Sequence, residues 1–183
     1  MARRRDIIGL ARDRAFRVRA ESLEDLEIVS SMLQDAIVPI SEITYQRPDN
    51  RFVLMTQRFR WESAEHQSDA ATDETPDEEA SNDDVSELSE APESSETTGP
   101  SYERVLCALR IENVTAVRTN GIYLSKRGQM LELLSLHLAD GSLDLAFADG
   151  KTIRLSTPRL SCHAEDIGEA WPTTLRPEHP DDQ

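Results

Sequence analysis

The apolar positions of this chain follow two periods, one helical and one of strands. Leu23, Leu26, Ile28, Val29, Leu33 and Ile37 recur near helical spacing. Ser22 before Leu23, with Glu24 and Asp25 in the first turn, is a helix start signal. The spacing predicts a helix over 23–34, stopping before Pro39, which pushes its predecessor to an extended conformation. A short strand around 16–19 precedes it. Beyond residue 37 the period is two. Ile43 and Tyr45 form one short strand, Arg47-Pro48-Asp49-Asn50 reads as a turn, and residues 52–61 return as its hairpin partner. Strand parity, anchored on Phe59 and Trp61, assigns Val53, Met55, Phe59 and Trp61 to the core side and Arg58 and Arg60 to the outer side.

The second half is more regular. Val105, Cys107, Leu109 and Ile111 alternate along one strand, and a strand over 114–119 ends at Asn120-Gly121. Residues 131–138, 143–148 and 151–156 are separated by Asp140-Gly141 and Asp149-Gly150. Such pairs suit the positive-φ positions of tight hairpins, so a three-stranded antiparallel meander is expected. A last strand near 160–164 leads to Trp171-Pro172 and a Pro-rich tail laid along the surface. A faint echo between residues 20–26 and 164–167 raises the idea of a duplicated half-domain. The core list is Leu26, Leu33, Ile43, Val53, Met55, Phe59, Trp61, Leu109, Val117, Leu134, Leu136, Phe147, Ile153 and Leu155.

Charge changes this picture in one place. Residues 62–100 carry fourteen of the 35 acids and no Lys or Arg, whereas the formal charge of the whole chain is −15. The remainder is nearly balanced, so the acidity belongs to an insert rather than to a folded surface. Its Glu, Asp, Ser, Thr, Ala and Pro cannot bury enough apolar area to offset ordering, and it is expected to be disordered. Residues 1–19 hold seven arginines against Asp6 and Asp13. The expected organisation is a flexible basic arm (1–14), a first part of the folded domain (15–61), the acidic insert (62–100), a second part (101–175) and a flexible tail (176–183).

Candidate chemistry is sparse. No apolar run reaches the length of a membrane span, and acids interrupt the basic start before a secretory h-region could form, so a cytoplasmic location is expected. Cys107 and Cys162 stand apart with no CxxC pattern and read as buried hydrophobes. Cys162 and His163 are adjacent on a strand and point to opposite faces, so they make no metal pair. His137, between Leu136 and Leu138, reads as a strand residue rather than a ligand. No nucleophile elbow, zinc-protease helix, P-loop or dinucleotide fingerprint occurs. No cofactor, no metal and no catalytic role is expected. Arg47, Arg51, Arg58 and Arg60 with Phe59 and Trp61 place bases and aromatics on one hairpin and mark a possible binding surface. The net charge weighs against nucleic acid as its partner.

Five stretches, Asp35-Ala36-Ile37-Val38-Pro39, Arg58-Phe59-Arg60-Trp61-Glu62, Glu103-Arg104-Val105, Ala164-Glu165-Asp166-Ile167-Gly168 and Trp171-Pro172-Thr173, make the chain resemble a small bacterial family of domains of unknown function. The resemblance covers about 16–61 and 102–177. It implies a bacterial, cytoplasmic protein and brings no activity and no functional residue with it.

The expected fold is a single α+β domain: a mainly antiparallel bent sheet or open barrel, one packed helix near the N-terminus and a disordered acidic insert. The expected function is a non-catalytic binding or adaptor domain for a protein partner. The alternative is a small-ligand or nucleic-acid site on a basic sheet face, masked by the insert. No membrane partner is expected, and sequence does not set the oligomeric state.

Overall fold

The computed structural model describes residues 16–63, 102–123 and 125–177. The expectations for the basic arm, most of the acidic insert and the last residues of the tail lie outside them. The elements run β1 (Arg17–Ala20), α1 (Leu23–Met32), β2 (Ala36–Pro39), β3 (Ile43–Gln46), β4 (Arg51–Phe59), β5 (Tyr102–Ile111), β6 (Ala116–Asn120), β7 (Met130–Ala139), β8 (Ser142–Phe147), β9 (Lys151–Ser156) and β10 (Cys162–Thr173). They build one open sheet in the order β1-β10-β5-β4-β2-β7-β8-β9-β6, with β3 pairing β4 beside β2. Every strand pairing among the described residues is antiparallel.

The helix forms where its start signal lies. Ser22 accepts a hydrogen bond from the Asp25 amide, and the Asp25 carboxylate accepts one from the Ser22 amide, closing a capping box. Leu26, Val29 and Leu33 turn inward, whereas Leu23 and Ile28 stay exposed. Asp35, at φ 58°, redirects the chain out of the helix, and its amide donates to the Leu133 carbonyl to open the β2–β7 pairing. The helix lies against β1 and β7, two strands far apart in the sheet order. Buried side chains from α1, β4, β5, β7, β8, β9 and β10 therefore share one apolar cluster.

The meander appears as expected. Asp140, Gly141, Asp149 and Gly150 all have positive φ, which the Asp-Gly pairs supply at little steric cost. The strand β5 alternates as expected too, with Val105, Cys107, Leu109 and Ile111 all inward.

Three expectations are corrected. The inward residues of β4 are Phe52, Leu54, Thr56 and Arg58, while Val53 and Met55 lie half-exposed on the outer face. Phe59 is buried, but on the outer side against Trp61 and Tyr102, so it misled the parity argument. Leu134 is exposed, at a shift in the β7–β8 register between Leu133 and Ser135. The strand β10 does not stop near residue 164. It bends at an irregularity between Ile167 and Trp171, where Gly168 adopts φ 77°, and then pairs Trp171, Pro172 and Thr173 with β5. Residues 164–167 thus sit inside a strand, and the echo of a strand followed by a helix has no structural counterpart.

Candidate functional site

The four arginines singled out in the sequence do not form one surface. Arg58 is fully buried on the inner face. Its Nε donates to Asp166 Oδ1 at 2.7 Å and its Nη2 to Asp166 Oδ2 at 2.6 Å, the fork geometry that suits a carboxylate. Nη2 also donates to Glu62 Oε1 at 2.8 Å, and Nη1 to Glu62 Oε2 and to the Phe59 carbonyl at 3.2 and 3.4 Å. All five guanidinium N–H groups thus have acceptors. Burial acts to lower the Arg58 pKa, but its two carboxylate partners outweigh that and hold it above the ordinary value. The Phe16 ring covers the guanidinium at 4.9 Å. The expectation that Arg58 faces outward is therefore corrected: it is a structural cation with no donor left for a ligand.

Of the other three, two are ion-paired. Arg51 donates to both oxygens of Glu112 at 3.0 and 3.1 Å. Arg60 pairs with Glu103 at 2.7 Å. Arg47 is exposed and lies over the Tyr45 ring.

A different arginine has the opposite balance. Arg104, on the outer face of β5, donates one hydrogen bond, from Nη1 to the Gln57 carbonyl at 3.1 Å. The remaining four of its five N–H groups have no acceptor among the described residues. Its guanidinium lies over the Phe59 ring at 5.8 Å, and Phe59 in turn packs on Trp61 and Tyr102. In register, Arg104 sits between Phe59 of β4 and Trp171 of β10. Half-burial pushes its pKa down from the ordinary value, and the charges of Asp35 and Glu132 counter that in part.

The strand β2 meets β4 through a single registered pair, Ile37 with Gln57. Around Arg104 lies a cleft of about 380 Å³ lined by Asp35, Ile37, Arg104, Met130, Leu131, Glu132, Leu175, Arg176 and Pro177. Met130 and Leu175 are largely exposed. A smaller cleft of about 340 Å³ lies between Pro39, Glu42, Met55 and Leu106, with no cation in its lining.

In the sequence Arg104 stands out only as part of Glu103-Arg104-Val105. The available signal was a base on the outer parity of β5, which Arg110 of the same strand shares.

The remaining candidates separate cleanly. Cys107 and Cys162 are buried, and burial raises both thiols to about 12. Cys162 points inward and His163 outward, and among the described residues no group of three or more His, Cys, Asp or Glu side chains gathers as a metal site. No described helix is long and apolar enough to cross a membrane.

Residues 16–179 match the family described as "Protein of unknown function (DUF2948)", and the chain belongs to that family. No curated protein and no solved structure matches it.

Proposed function

We propose that this protein is a cytoplasmic, non-catalytic binding domain that recognises a protein partner in the cleft at Arg104. The observation that supports this reading is the contrast between two arginines on the same sheet. Arg58 spends every donor inside the fold, whereas Arg104 keeps four, half-buried and held by an aromatic ring, in a cavity with apolar walls. A few convergent polar groups in an apolar frame are the usual anatomy of a ligand site. The test places a photo-crosslinking residue at Met130 or Leu175 in cells that make the protein. A defined protein adduct at both positions, lost on Arg104→Ala and absent when the crosslinker sits at Arg118 on the edge strand β6, is the expected result. Adducts that ignore Arg104→Ala, or no adduct from the cleft positions, reject the reading.

A second reading, small-ligand or nucleic-acid binding on a basic sheet face, has one observation in its favour. Arg19, His163 and Arg110 are registered neighbours across β1, β10 and β5 on the outer face. Burial and the two flanking arginines hold the His163 pKa below its ordinary value, so the positive charge of this row rests on Arg19 and Arg110. Here Glu21 and Glu112 already pair with the two arginines, at 2.6 and 3.1 Å. Salt-sensitive binding of single-stranded nucleic acid that is lost on Arg19→Ala/Arg110→Ala would favour this face over the cleft.

A further inference from the structure

We infer that the group taken by the Arg104 cleft is the C-terminal carboxylate of a peptide chain, with an apolar last side chain against Met130, Ile37 and Leu175. This rests on the reading of the cleft as a partner site and specifies its chemistry. Three features of the cleft narrow the ligand.

The first is the donor set. Four N–H groups of one planar guanidinium, with only Nη1 engaged by the Gln57 carbonyl, can make a bidentate contact to a planar oxyanion. The hydrogen bond to the Gln57 carbonyl anchors one end of the fork, and the Phe59 ring lies 5.8 Å away, so less freedom is lost when an anion docks. Half-burial strengthens such a contact relative to one in open water.

The second is the local charge. Asp35 and Glu132 line the same cleft and act on Arg104 through their charge. Two nearby carboxylates disfavour a dianionic phosphate more than a singly charged carboxylate, because repulsion scales with the product of the charges. Arg176 lines the same cleft and brings a second cation to it.

The third is the spacing of apolar and charged surface. Ile37, Met130 and Leu175 share the lining with Arg104. A C-terminal residue carries its carboxylate and its side chain on the same Cα and can satisfy both at once. An internal Asp or Glu brings the charge without the apolar group. The volume of about 380 Å³ is near the lower end of ligand sites and suits a chain end rather than a long folded epitope. Capture of a terminal carboxylate by positioned N–H donors is an established mode of peptide recognition.

The experiment titrates the full-length chain with acetyl-Gly-Gly-Leu bearing a free carboxylate, with its C-terminal amide, with acetyl-Gly-Gly-Asp-amide, and with inorganic phosphate. Binding is followed by calorimetry and by the amide resonances of residues lining the cleft. The free acid is expected to bind about tenfold or more tightly than the other three probes, the discrimination one charge-assisted contact provides. Arg104→Ala should abolish binding. Arg104→Lys, which keeps the cation but loses the fork, should weaken it without lowering thermal stability. Arg47→Ala should leave it unchanged. Amide and acid binding within twofold, phosphate binding as well as the acid, persistence of acid binding in Arg104→Ala, or no binding of the acid would each overturn the inference. If the peptide acid fails while crosslinks from Met130 and Leu175 still depend on Arg104, only the ligand chemistry falls and the partner site stands. If the crosslinks fail as well, the cleft loses its role altogether.

Discussion

Arg58 and Asp166 lie 108 positions apart in the chain and meet across the full width of β5, with Nε–Oδ1 at 2.7 Å and Nη2–Oδ2 at 2.6 Å. Asp166 also accepts the Phe16 amide at 3.0 Å and donates its own amide to the Phe16 carbonyl at 2.8 Å. One carboxylate thus ties β1, β4 and β10 together, and Glu62 completes the coordination of the guanidinium.

Removing one side of this pair leaves a charge buried without a partner. The Asp166 side chain is 5 % exposed and that of Arg58 is 0 %. Arg58→Ala is expected to destabilise the fold by about 3–5 kcal/mol, read from urea unfolding at neutral pH. The double change Arg58→Met with Asp166→Leu should recover most of that loss, since an apolar pair carries no stranded charge. A single variant within about 0.5 kcal/mol of wild type, the range of ordinary surface changes, would contradict the structural role assigned to Arg58.

Glu62 gives the same network an acid limb. Burial acts to raise its pKa, but the hydrogen bond and charge of Arg58, with Arg60 further off, outweigh that and hold it below its ordinary value of 4.5. A depressed folded pKa contributes stability that is present above the unfolded value and lost as pH falls through the folded one. Urea midpoints measured from about pH 6 down to about pH 3 should therefore fall less steeply below 4.5 in Glu62→Gln than in wild type. Parallel pH profiles for the two proteins would refute the contribution of Glu62.

The two thiols titrate in the other direction. Burial raises Cys107 from 9.0 to about 12, with Asp166 adding to the shift, and burial raises Cys162 to about 12 as well. The folded state therefore holds both protons while the unfolded state releases them. Their stabilising share is complete below pH 9.0 and is lost as pH rises towards about 12. In native protein at pH 8, neither thiol should react with a disulfide reagent, and both should react in denaturant. A fast-reacting native thiol would show that one of them is open to solvent.

The corrected parity of β4 is tested by neighbours. Leu54 is completely buried and Met55 half-exposed. Leu54→Ala should cost about 2–5 kcal/mol, the range for emptying a core position. Met55→Ala should cost less than Leu54→Ala, about 1–2 kcal/mol, since part of its side chain stays in water on the outer face. The reverse order would restore the parity read from Phe59 and Trp61.

How far the sequence reaches depends on whether a signal is local. The meander was legible because Asp140-Gly141 and Asp149-Gly150 state their backbone requirement in two residues, and each strand between them keeps one parity. The helix was legible from its cap and spacing, although Leu23 and Ile28, counted with its apolar face, remain in water. The strand β4 was misread because its last residues, Arg58 and Phe59, are both buried, one on each face. Alternation cannot report which face is the core when both are covered. The run of β10 to Thr173 was hidden by Gly168 and Pro172, which mark a bend inside the strand rather than its end.

By itself, the sequence determined what depends on neighbours along the chain: the capped helix, the hairpins with their positive-φ residues, the inward side of β5 and the confinement of excess charge to residues 62–100. Tertiary structure alone decided what each arginine does. Arg58, Arg60 and Arg104 are chemically equivalent in the sequence. One became a saturated core cation because Asp166 reaches it from β10, and one was neutralised by Glu103 of β5. The third engages only the Gln57 carbonyl among the described residues. The charge of a guanidinium is fixed by its chemistry, but the partners that satisfy it are set by strand pairings between residues far apart in the chain.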